Sequence, residues 1–153
     1  DDVKADMVVP VPEEIRFLAM VPDFELSTEK ARAVLPKEIP HKDGVFNVSR
    51  CALLIAAFTK NNLELVKAAC KDKFHQDYRS HLINNYDDIV AYANSLDSLG
   101  TFLSGAGPTI MTLAKDSDNE ILDKMKSYLS TLEDNWQILD LHCDPNGAYY
   151  KEV

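Results

Sequence analysis

The sequence predicts an α+β fold in which an antiparallel sheet packs against helices. Two apolar runs far apart in the chain, IRFLAMVP (Ile15–Pro22) and WQILDLH (136–142), are typical of strands. Between them, GTFLSGAGPTIMTLAK (100–115) has two β-like runs around a glycine-containing loop, which is typical of a hairpin. Because helical patterns separate these strands, the order favours a two-layer sandwich.

Two helical patterns lie between the first strand and the middle of the chain. In STEKARAVLP (27–36), Ser27 is the expected N-cap of a short helix and Pro36 its stop. Residues 45–58, VFNVSRCALLIAAF, are apolar almost all round, which predicts a buried helix. Asn47 and Arg50 share one face of that helix, so we expect them to make internal hydrogen bonds.

Three further helices are predicted. NNLELVKAACK (61–71) begins with a capping-box spacing and then has an apolar stripe, and YDDIVAYANSL (86–96) is helical up to a stop at Gly100. SDNEILDKMKSYLSTL (117–132) has the strongest apolar stripe, with Ser117 and Glu120 at capping-box spacing. GAYYKEV, which contains Tyr149 and Tyr150, is expected to add a short terminal strand. The whole resembles a ferredoxin-like sandwich with helices on one face of the sheet, forming one domain over residues 1–153.

Composition excludes several classes of partner. With 153 residues, 46% of them hydrophobic, the chain is long enough for one substantial core. A net charge of −9 opposes broad contact with nucleic acid or with an anionic membrane. Three cysteines without a CxxC pair oppose a disulfide framework or zinc site and favour the cytoplasm. Neither a spanning helix nor a secretory signal is visible. Because the first residue is not methionine, we expect a fragment or a processed chain.

A few polar and glycine residues are candidates for a site, and each has a structural alternative. Gly105 and Gly107 suit either a strained turn or backbone N–H groups that face an anion. Thr28 and Arg32 lie four apart, which suits a carboxylate ligand or a solvated helix face. Arg79 suits a ligand or a structural salt bridge. His75, His81 and the acidic segment 84–88 are expected to be structural, and no metal site is predicted.

Four segments in succession resemble the C-terminal half of the homoserine kinases: LSTEKARAVLP, DGVFNVSRCALLIAAF, FHQDYRSHLI and SGAGPTI. SGAGPT is similar to the third signature motif of the wider GHMP small-molecule kinases, whereas FNVSR and HQDYR are more specific to homoserine kinases. The resemblance covers nearly the whole chain. It implies a ferredoxin-like domain that packs on an N-terminal domain, with the active site between the two.

The resemblance also implies roles for individual residues. Thr28, Arg32 and Arg79 are expected to bind L-homoserine, with the two guanidinium groups on its α-carboxylate, and the loop Ser104, Gly105, Ala106 and Gly107 to lie on the phosphate side. The family's Gly-Ser-rich nucleotide loop is not found, so ATP and Mg²⁺ are expected to be held by the missing N-terminal domain. This chain is then expected to contain no catalytic residue and to be inactive alone.

Two alternatives stay open at this point. The first is a GHMP kinase with an isoprenoid or sugar acceptor, against which HQDYR and the Thr28–Arg32 pair argue. The second is a non-catalytic ferredoxin-like module that binds an amino acid or another subunit. A homodimer is a further arrangement that the sequence allows.

Overall fold

The computed structural model describes residues 9–147, and its centre is a four-stranded antiparallel sheet. The strands are β1 (Ile15–Pro22), β2 (Gly100–Leu103), β3 (Ile110–Lys115) and β4 (Trp136–Leu141). Their spatial order is β2-β3-β1-β4, so the first strand of the chain lies between the hairpin β2–β3 and the last strand. The register pairs Leu18 with Thr112 on one side and with Asp140 on the other. The strands predicted from IRFLAMVP and WQILDLH and the hairpin between them are therefore confirmed.

Six α-helices and two 3₁₀ turns connect these strands. The helices are α1 (Thr28–Ala33), α2 (His41–Thr59), α3 (Val66–Ala69), α4 (Gln76–Arg79), α5 (Tyr86–Ser95) and α6 (Asn119–Leu129). The 3₁₀ turns are Leu63–Leu65, before α3, and Ser80–Leu82, after α4. Most of the helical residues thus lie between β1 and β2, where the sequence placed them.

The main core lies between one face of the sheet and the helices α5 and α6. Since successive side chains of a strand point to opposite faces, Leu18 and Met20 share this face with Ile110. They pack with residues of the two helices, among them Ile89 and Met125, all of which are fully buried. This is the two-layer α+β arrangement that the sequence predicts.

A smaller cluster lies on the other face of the sheet. Ile15 and Leu113 are buried there together with Val66 of α3 and Ala57 of α2. Partly buried side chains extend this cluster: Phe17, Leu54, Phe58, Leu63, Cys70, Phe102 and Met111. The C-terminal end of α2 and the short helix α3 therefore pack on the opposite side of the sheet from α5 and α6. The α+β sandwich is confirmed, but its helices are not confined to one face of the sheet as the sequence predicts, because both faces of β1 and β3 carry apolar side chains that need cover.

The prediction that the helix over 45–58 is buried is wrong. α2 is longer than predicted, and Ala57 is its only buried residue. Val45, Val48 and Ile55 expose 56%, 69% and 45% of their surface. The physical reason is that a helix with apolar residues all round needs neighbours on both sides, whereas residues 9–147 cover only the side that faces α3 and the sheet.

Two predicted capping boxes are also wrong. Asp118, not Ser117, caps α6, because its Oδ1 accepts hydrogen bonds from the N–H groups of Glu120 and Ile121 at 3.1 and 3.2 Å. Asn61 has a φ of 47°, so it ends the turn after α2 and does not begin a helix. The continuous helix expected over 61–71 is accordingly a 3₁₀ turn followed by the four residues of α3.

The remaining differences concern chain ends and turns. α5 ends at Ser95, before the predicted stop at Gly100. Asp97, two residues later, has a φ of 60° and turns the chain, so that Gly100 is already the first residue of β2. Residues 148–153 of the predicted terminal strand, which include Tyr149 and Tyr150, lie outside the described residues. Within residues 9–147, no helix has the length and apolar character needed to span a membrane.

Candidate functional site

Arg79, the last residue of α4, joins three of the segments that the sequence singled out. Its Nε donates a hydrogen bond to the carbonyl oxygen of Ala31 in α1 at 2.9 Å. Its Nη1 donates to the carbonyl oxygen of Gly105 in the β2–β3 loop at 3.0 Å. The structure thus brings α1, α4 and the glycine loop together at one guanidinium group.

The salt-bridge alternative for Arg79 does not describe this geometry. Among residues 9–147, no carboxylate forms an ion pair with the half-buried Arg79. A guanidinium group has five N–H donors, and the two hydrogen bonds to carbonyl oxygens use only two of them. Three donors therefore remain for a ligand, and a planar guanidinium is well suited to a carboxylate.

The short helix α1 presents Thr28 and Arg32 to solvent. Ser27 is its N-cap, as predicted, and its Oγ accepts a hydrogen bond from the N–H of Lys30 at 3.1 Å. Ala31 is fully buried, which fixes the side of the helix that faces the protein. Thr28 and Arg32 are exposed and lie one turn apart, so they share a face. They are accessible to a ligand, although their role stays a prediction.

Asp72 holds the start of α4, a role that the sequence analysis missed. Its carboxylate accepts the N–H groups of Phe74, His75 and Gln76 at 3.0, 2.7 and 2.8 Å. It also accepts Nδ2 of Asn47 at 2.6 Å. Burial would raise the pKa of Asp72, but these hydrogen bonds to the charged form outweigh burial, and its pKa is lowered. A four-residue helix is too short to be stable alone, so this anchor orients α4.

Gln76 connects α4 to the strand that leads into the glycine loop. Its Oε1 accepts the N–H of Leu103, the last residue of β2, at 2.8 Å and the hydroxyl of Tyr86 at 2.9 Å. Burial raises the pKa of Tyr86, so this phenol remains a hydrogen-bond donor. Gln76 lies one turn before Arg79 on α4. Gln76 and Arg79 together therefore hold α4 against Leu103 and Gly105, the two neighbours of Ser104.

The polar residues of α2 support the same assembly. Oδ1 of Asn47 accepts the N–H of Lys73 at 2.8 Å, and Nη1 of Arg50 donates to the carbonyl oxygen of Ala68 at 3.2 Å. Both side chains thus make the internal hydrogen bonds that the sequence predicts.

The sequence does contain a signal for the role of Asp72. It is an acidic residue shortly before a helix, which is a common pattern for capping a turn.

The loop Ser104–Gly107 is a tight turn in which two backbone donors have no partner within the described part of the chain. The N–H of Ser104 donates to the carbonyl oxygen of Thr109 at 2.9 Å, and that of Gly107 to Ser104 at 3.0 Å. Within residues 9–147, the N–H groups of Gly105 and Ala106 make no hydrogen bond. Successive free N–H groups in a turn form a concave site that suits an anion. The turn and the anion interpretation are therefore compatible.

Gly107 is required by the packing of this loop. Its φ is 83°, and an added Cβ would lie 3.1 Å from methyl groups of both Ile83 and Leu103. Gly105 also has a positive φ, 59°, but an added Cβ there would meet nothing within 4 Å. Only Gly107 therefore combines a left-handed backbone with close neighbours.

We expect Gly107→Ala to destabilise the protein by about 2 to 4 kcal/mol, because left-handed strain and overpacking each cost on the order of 1 to 2 kcal/mol. Gly105→Ala is the matched control, and it should lose only the strain contribution of about 1 kcal/mol. Urea unfolding of both variants measures the difference. Equal losses would show that the contacts of Gly107 with Ile83 and Leu103 do not matter.

Asp72 predicts a pH dependence of stability. A group whose pKa is lower when folded than its ordinary value of 3.8 stabilises the fold above that value. That stabilisation is lost as pH falls through the lowered folded pKa. We therefore expect the difference in Tm between the parent and Asp72→Asn to be largest near pH 7 and to shrink below about pH 4.

Asp123→Asn on the exposed side of α6 is the control for this pH series, since it removes one carboxylate from the surface. Its Tm difference from the parent should stay small at every pH. A constant Tm difference for Asp72→Asn from pH 7 to pH 3 would contradict the proposed anchor.

The other candidates do not form a site in the described part of the chain. Nε2 of His75 lies 3.9 Å from the Asp72 carboxylate, and His81 is exposed. Asn84 donates to the Asp134 carboxylate at 3.0 Å. Residues 9–147 contain no group of three or more His, Cys, Asp or Glu side chains that is suited to a metal ion.

Comparison with known protein families gives a decisive match. Residues 54–131, half of the chain, match the family described as GHMP kinases C terminal. The chain belongs to this family. The matched segment contains α4 with Arg79 and the whole Ser104–Gly107 loop, whereas α1 with Thr28 and Arg32 precedes it.

Curated relatives of this GHMP domain are named homoserine kinase. One from Clostridium botulinum type A is 52% identical over 140 residues, which are 92% of this chain and 47% of the relative. One from Clostridium beijerinckii is 46% identical over the same share of each. The chain thus spans about half the length of the curated relatives that it matches.

Solved structures show the same fold as this GHMP domain. A homoserine kinase from Cytophaga hutchinsonii superposes with a TM-score of 0.80 and 27% identity, over 88% of this chain and 43% of that chain. A Leishmania major mevalonate kinase in complex with R-mevalonate gives a TM-score of 0.57 over 80% and 40%, respectively, at 16% identity. The second likeness shows the fold alone.

Proposed function

We propose that this GHMP domain is the acceptor-binding C-terminal part of a homoserine kinase. The complete enzyme would transfer a phosphoryl group from ATP to the hydroxyl of L-homoserine and form O-phosphohomoserine, a step of threonine biosynthesis. The 52% identity to a homoserine kinase supports the reaction. The junction of α1, α4 and the glycine loop at Arg79 is the observation that carries the assignment of the site.

The acceptor site is built from side chains that suit an amino acid. Arg32 and the free donors of Arg79 would bind the α-carboxylate through charge-assisted hydrogen bonds. The hydroxyl of Thr28, one turn from Arg32 on the same face of α1, adds a neutral donor and acceptor. An isoprenoid acceptor with a distant carboxylate or a sugar without one would leave these cations without a partner. The charges therefore favour homoserine as the acceptor.

The glycine loop would lie on the side where the phosphoryl group is transferred. The N–H groups of Gly105 and Ala106 are free to donate within the described chain. Donors that are already oriented stabilise developing negative charge without reorganisation. Arg79 bonds the carbonyl oxygen of Gly105, so the same residue that would bind the acceptor also fixes the loop. Arg79 would thereby hold the acceptor-binding side and the phosphate side of the site in a fixed position relative to each other.

ATP and Mg²⁺ would be bound by the N-terminal half of the complete enzyme. When bound, the metal ion neutralises phosphate charge while the reactants are positioned in line. The contribution of this chain is to bind and orient the acceptor. The proposal includes a cytoplasmic location, which the three free thiols Cys51, Cys70 and Cys143 support.

A chimeric enzyme tests this proposal. The C-terminal half of the Clostridium botulinum homoserine kinase is replaced by this chain, which is 52% identical to it. We expect ATP-dependent formation of O-phosphohomoserine from L-homoserine and none of the corresponding product from R-mevalonate. The parent C. botulinum enzyme is the positive control. A folded chimera that binds ATP but does not phosphorylate homoserine would refute the proposal.

A further inference from the structure

The strand that leads into the glycine loop lies at an edge of the sheet. In the order β2-β3-β1-β4, which covers the strands of residues 9–147, β2 pairs with β3 alone. The N–H of Ser104, the first residue after β2, donates across the hairpin to the carbonyl oxygen of Thr109 at 2.9 Å. Since successive N–H groups along a strand point to opposite sides, the N–H of Leu103 points away from β3. The sheet itself offers no acceptor on that side of an edge strand.

The side chain of Gln76 supplies the acceptor for this N–H group. Its Oε1 lies 2.8 Å from the backbone nitrogen of Leu103. Leu103 exposes only 2% of its surface, so water does not readily take the place of Gln76. A buried N–H group without an acceptor is unfavourable. The position of the last residue of β2 therefore depends on one side chain of α4.

Gln76 is itself held at its backbone and at both polar atoms of its side chain. Its N–H donates to the Asp72 carboxylate at 2.8 Å, and its Nε2 donates to the carbonyl oxygen of Cys70 at 3.3 Å. Its Oε1 also accepts the hydroxyl of the buried Tyr86 at 2.9 Å. Polar groups that are satisfied in this way are rigid. Gln76 is thus a fixed point to which the start of the glycine loop is attached.

The attachment through Gln76 differs from the attachment through Arg79. Arg79 bonds the carbonyl oxygen of Gly105 and would also bind the acceptor. The amide of Gln76 is used by protein partners, so its loss removes no carboxylate donor from the acceptor side. The free N–H groups of Gly105 and Ala106 follow Leu103 by two and three residues. A displacement of Leu103 therefore moves these donors.

We propose that Gln76 is a positioning residue for phosphoryl transfer, because it holds the free N–H groups of the glycine loop in place through Leu103. The inference rests on the proposed function, in which those groups stabilise charge on the phosphate side. A misplacement of about 1 Å in such a site can lower a rate about a hundredfold. Loss of the Gln76 acceptor is therefore expected to lower kcat, whereas loss of Arg32 raises the KM for homoserine.

Steady-state kinetics of the chimeric enzyme tests this division. Gln76→Met keeps an unbranched side chain of similar length but has no amide acceptor. We expect its kcat to fall about tenfold or more, with a KM for homoserine within about threefold of the parent chimera. Gln76→Asn, whose amide ends about 1.5 Å short of Leu103, should lose kcat in the same way, and it provides the measurement if Gln76→Met does not fold.

Tyr86→Phe is the matched control for a merely structural role. It removes the other donor to Oε1 of Gln76 and leaves the bond to Leu103 in place. Its Tm should fall because a buried hydrogen bond is lost. Its kcat should nevertheless stay within about twofold of the parent. A Tyr86→Phe chimera that loses as much kcat as the Gln76 variants would overturn the proposal.

Amide hydrogen exchange of the isolated chain tests the same contact without catalytic activity. The N–H of Leu103 should exchange slowly in the parent and in Tyr86→Phe, and about tenfold faster or more in Gln76→Asn. Equal exchange in the parent and in Gln76→Asn would overturn the proposal. A parent chimera that is active and an unchanged kcat in the Gln76 variants would overturn the role of Gln76 alone. A folded parent chimera that does not phosphorylate homoserine would instead refute the proposed function, and the role of Gln76 with it.

Discussion

Arg32→Ala in the chimeric enzyme is expected to raise the KM for homoserine about tenfold or more, with the KM for ATP nearly unchanged. The reason is the loss of a charge-assisted hydrogen bond to the acceptor carboxylate, which contributes about 1.5 to 3 kcal/mol, where 1.4 kcal/mol corresponds to tenfold. Arg32 is exposed, so Tm should not change. Steady-state kinetics with each substrate varied in turn measures the effect.

Arg79→Ala should produce two effects. It removes a second carboxylate donor, and it also removes the hydrogen bonds to Ala31 and Gly105, so both the KM for homoserine and the stability should suffer. Arg79→Lys keeps the charge but not the planar fork of donors, and it separates the two contributions. Lys30→Ala, an exposed cation on the same helix as Arg32, is the control for a general loss of positive charge. If Lys30→Ala raises the KM as much as Arg32→Ala does, the assignment of Arg32 is wrong.

The isolated chain is expected to form no O-phosphohomoserine above an enzyme-free blank. Phosphoryl transfer depends on holding nucleotide, metal ion and acceptor together in one geometry. In the proposal, this chain supplies the acceptor side alone. The measurement is product formation from ATP and L-homoserine by the purified chain, with the chimera at the same concentration beside it.

The same assay includes a control for contamination by host kinases. An isolated chain that carries Arg32→Ala should give the same blank value as the parent chain. Product that appears with the parent chain and disappears with Arg32→Ala would show that this half is active by itself, contrary to the proposal.

Short-range patterns predicted the sheet well. An apolar run closed by a proline gave the bounds of β1, and the glycine loop between two β-like runs gave the hairpin β2–β3. Ser27 was found as a cap because its position before a short helix is a local signal. These features depend on neighbours a few residues apart, which a sequence displays directly.

Features that depend on distant contacts were missed. The environment of α2 could not be predicted, because an apolar helix surface does not show which of its sides will be covered. Arg79 was predicted to contact a ligand or a carboxylate, yet its acceptors are carbonyl oxygens of Ala31 and Gly105, which any residue type provides. The bond from Asn47 to Asp72 could not be predicted because the two residues are 25 positions apart, whereas the bonds from the N–H groups of 74–76 to Asp72 follow a local pattern that the sequence analysis overlooked. Only the fold brings these groups together.

A structure of the chimera with bound L-homoserine and a non-hydrolysable ATP analogue tests the central claim most directly. The account predicts that the α-carboxylate lies within hydrogen-bond distance, about 2.7 to 3.2 Å, of the guanidinium groups of Arg32 and Arg79. It also predicts that the acceptor hydroxyl points toward the Gly105 turn. A homoserine carboxylate bound away from both arginines would contradict the account.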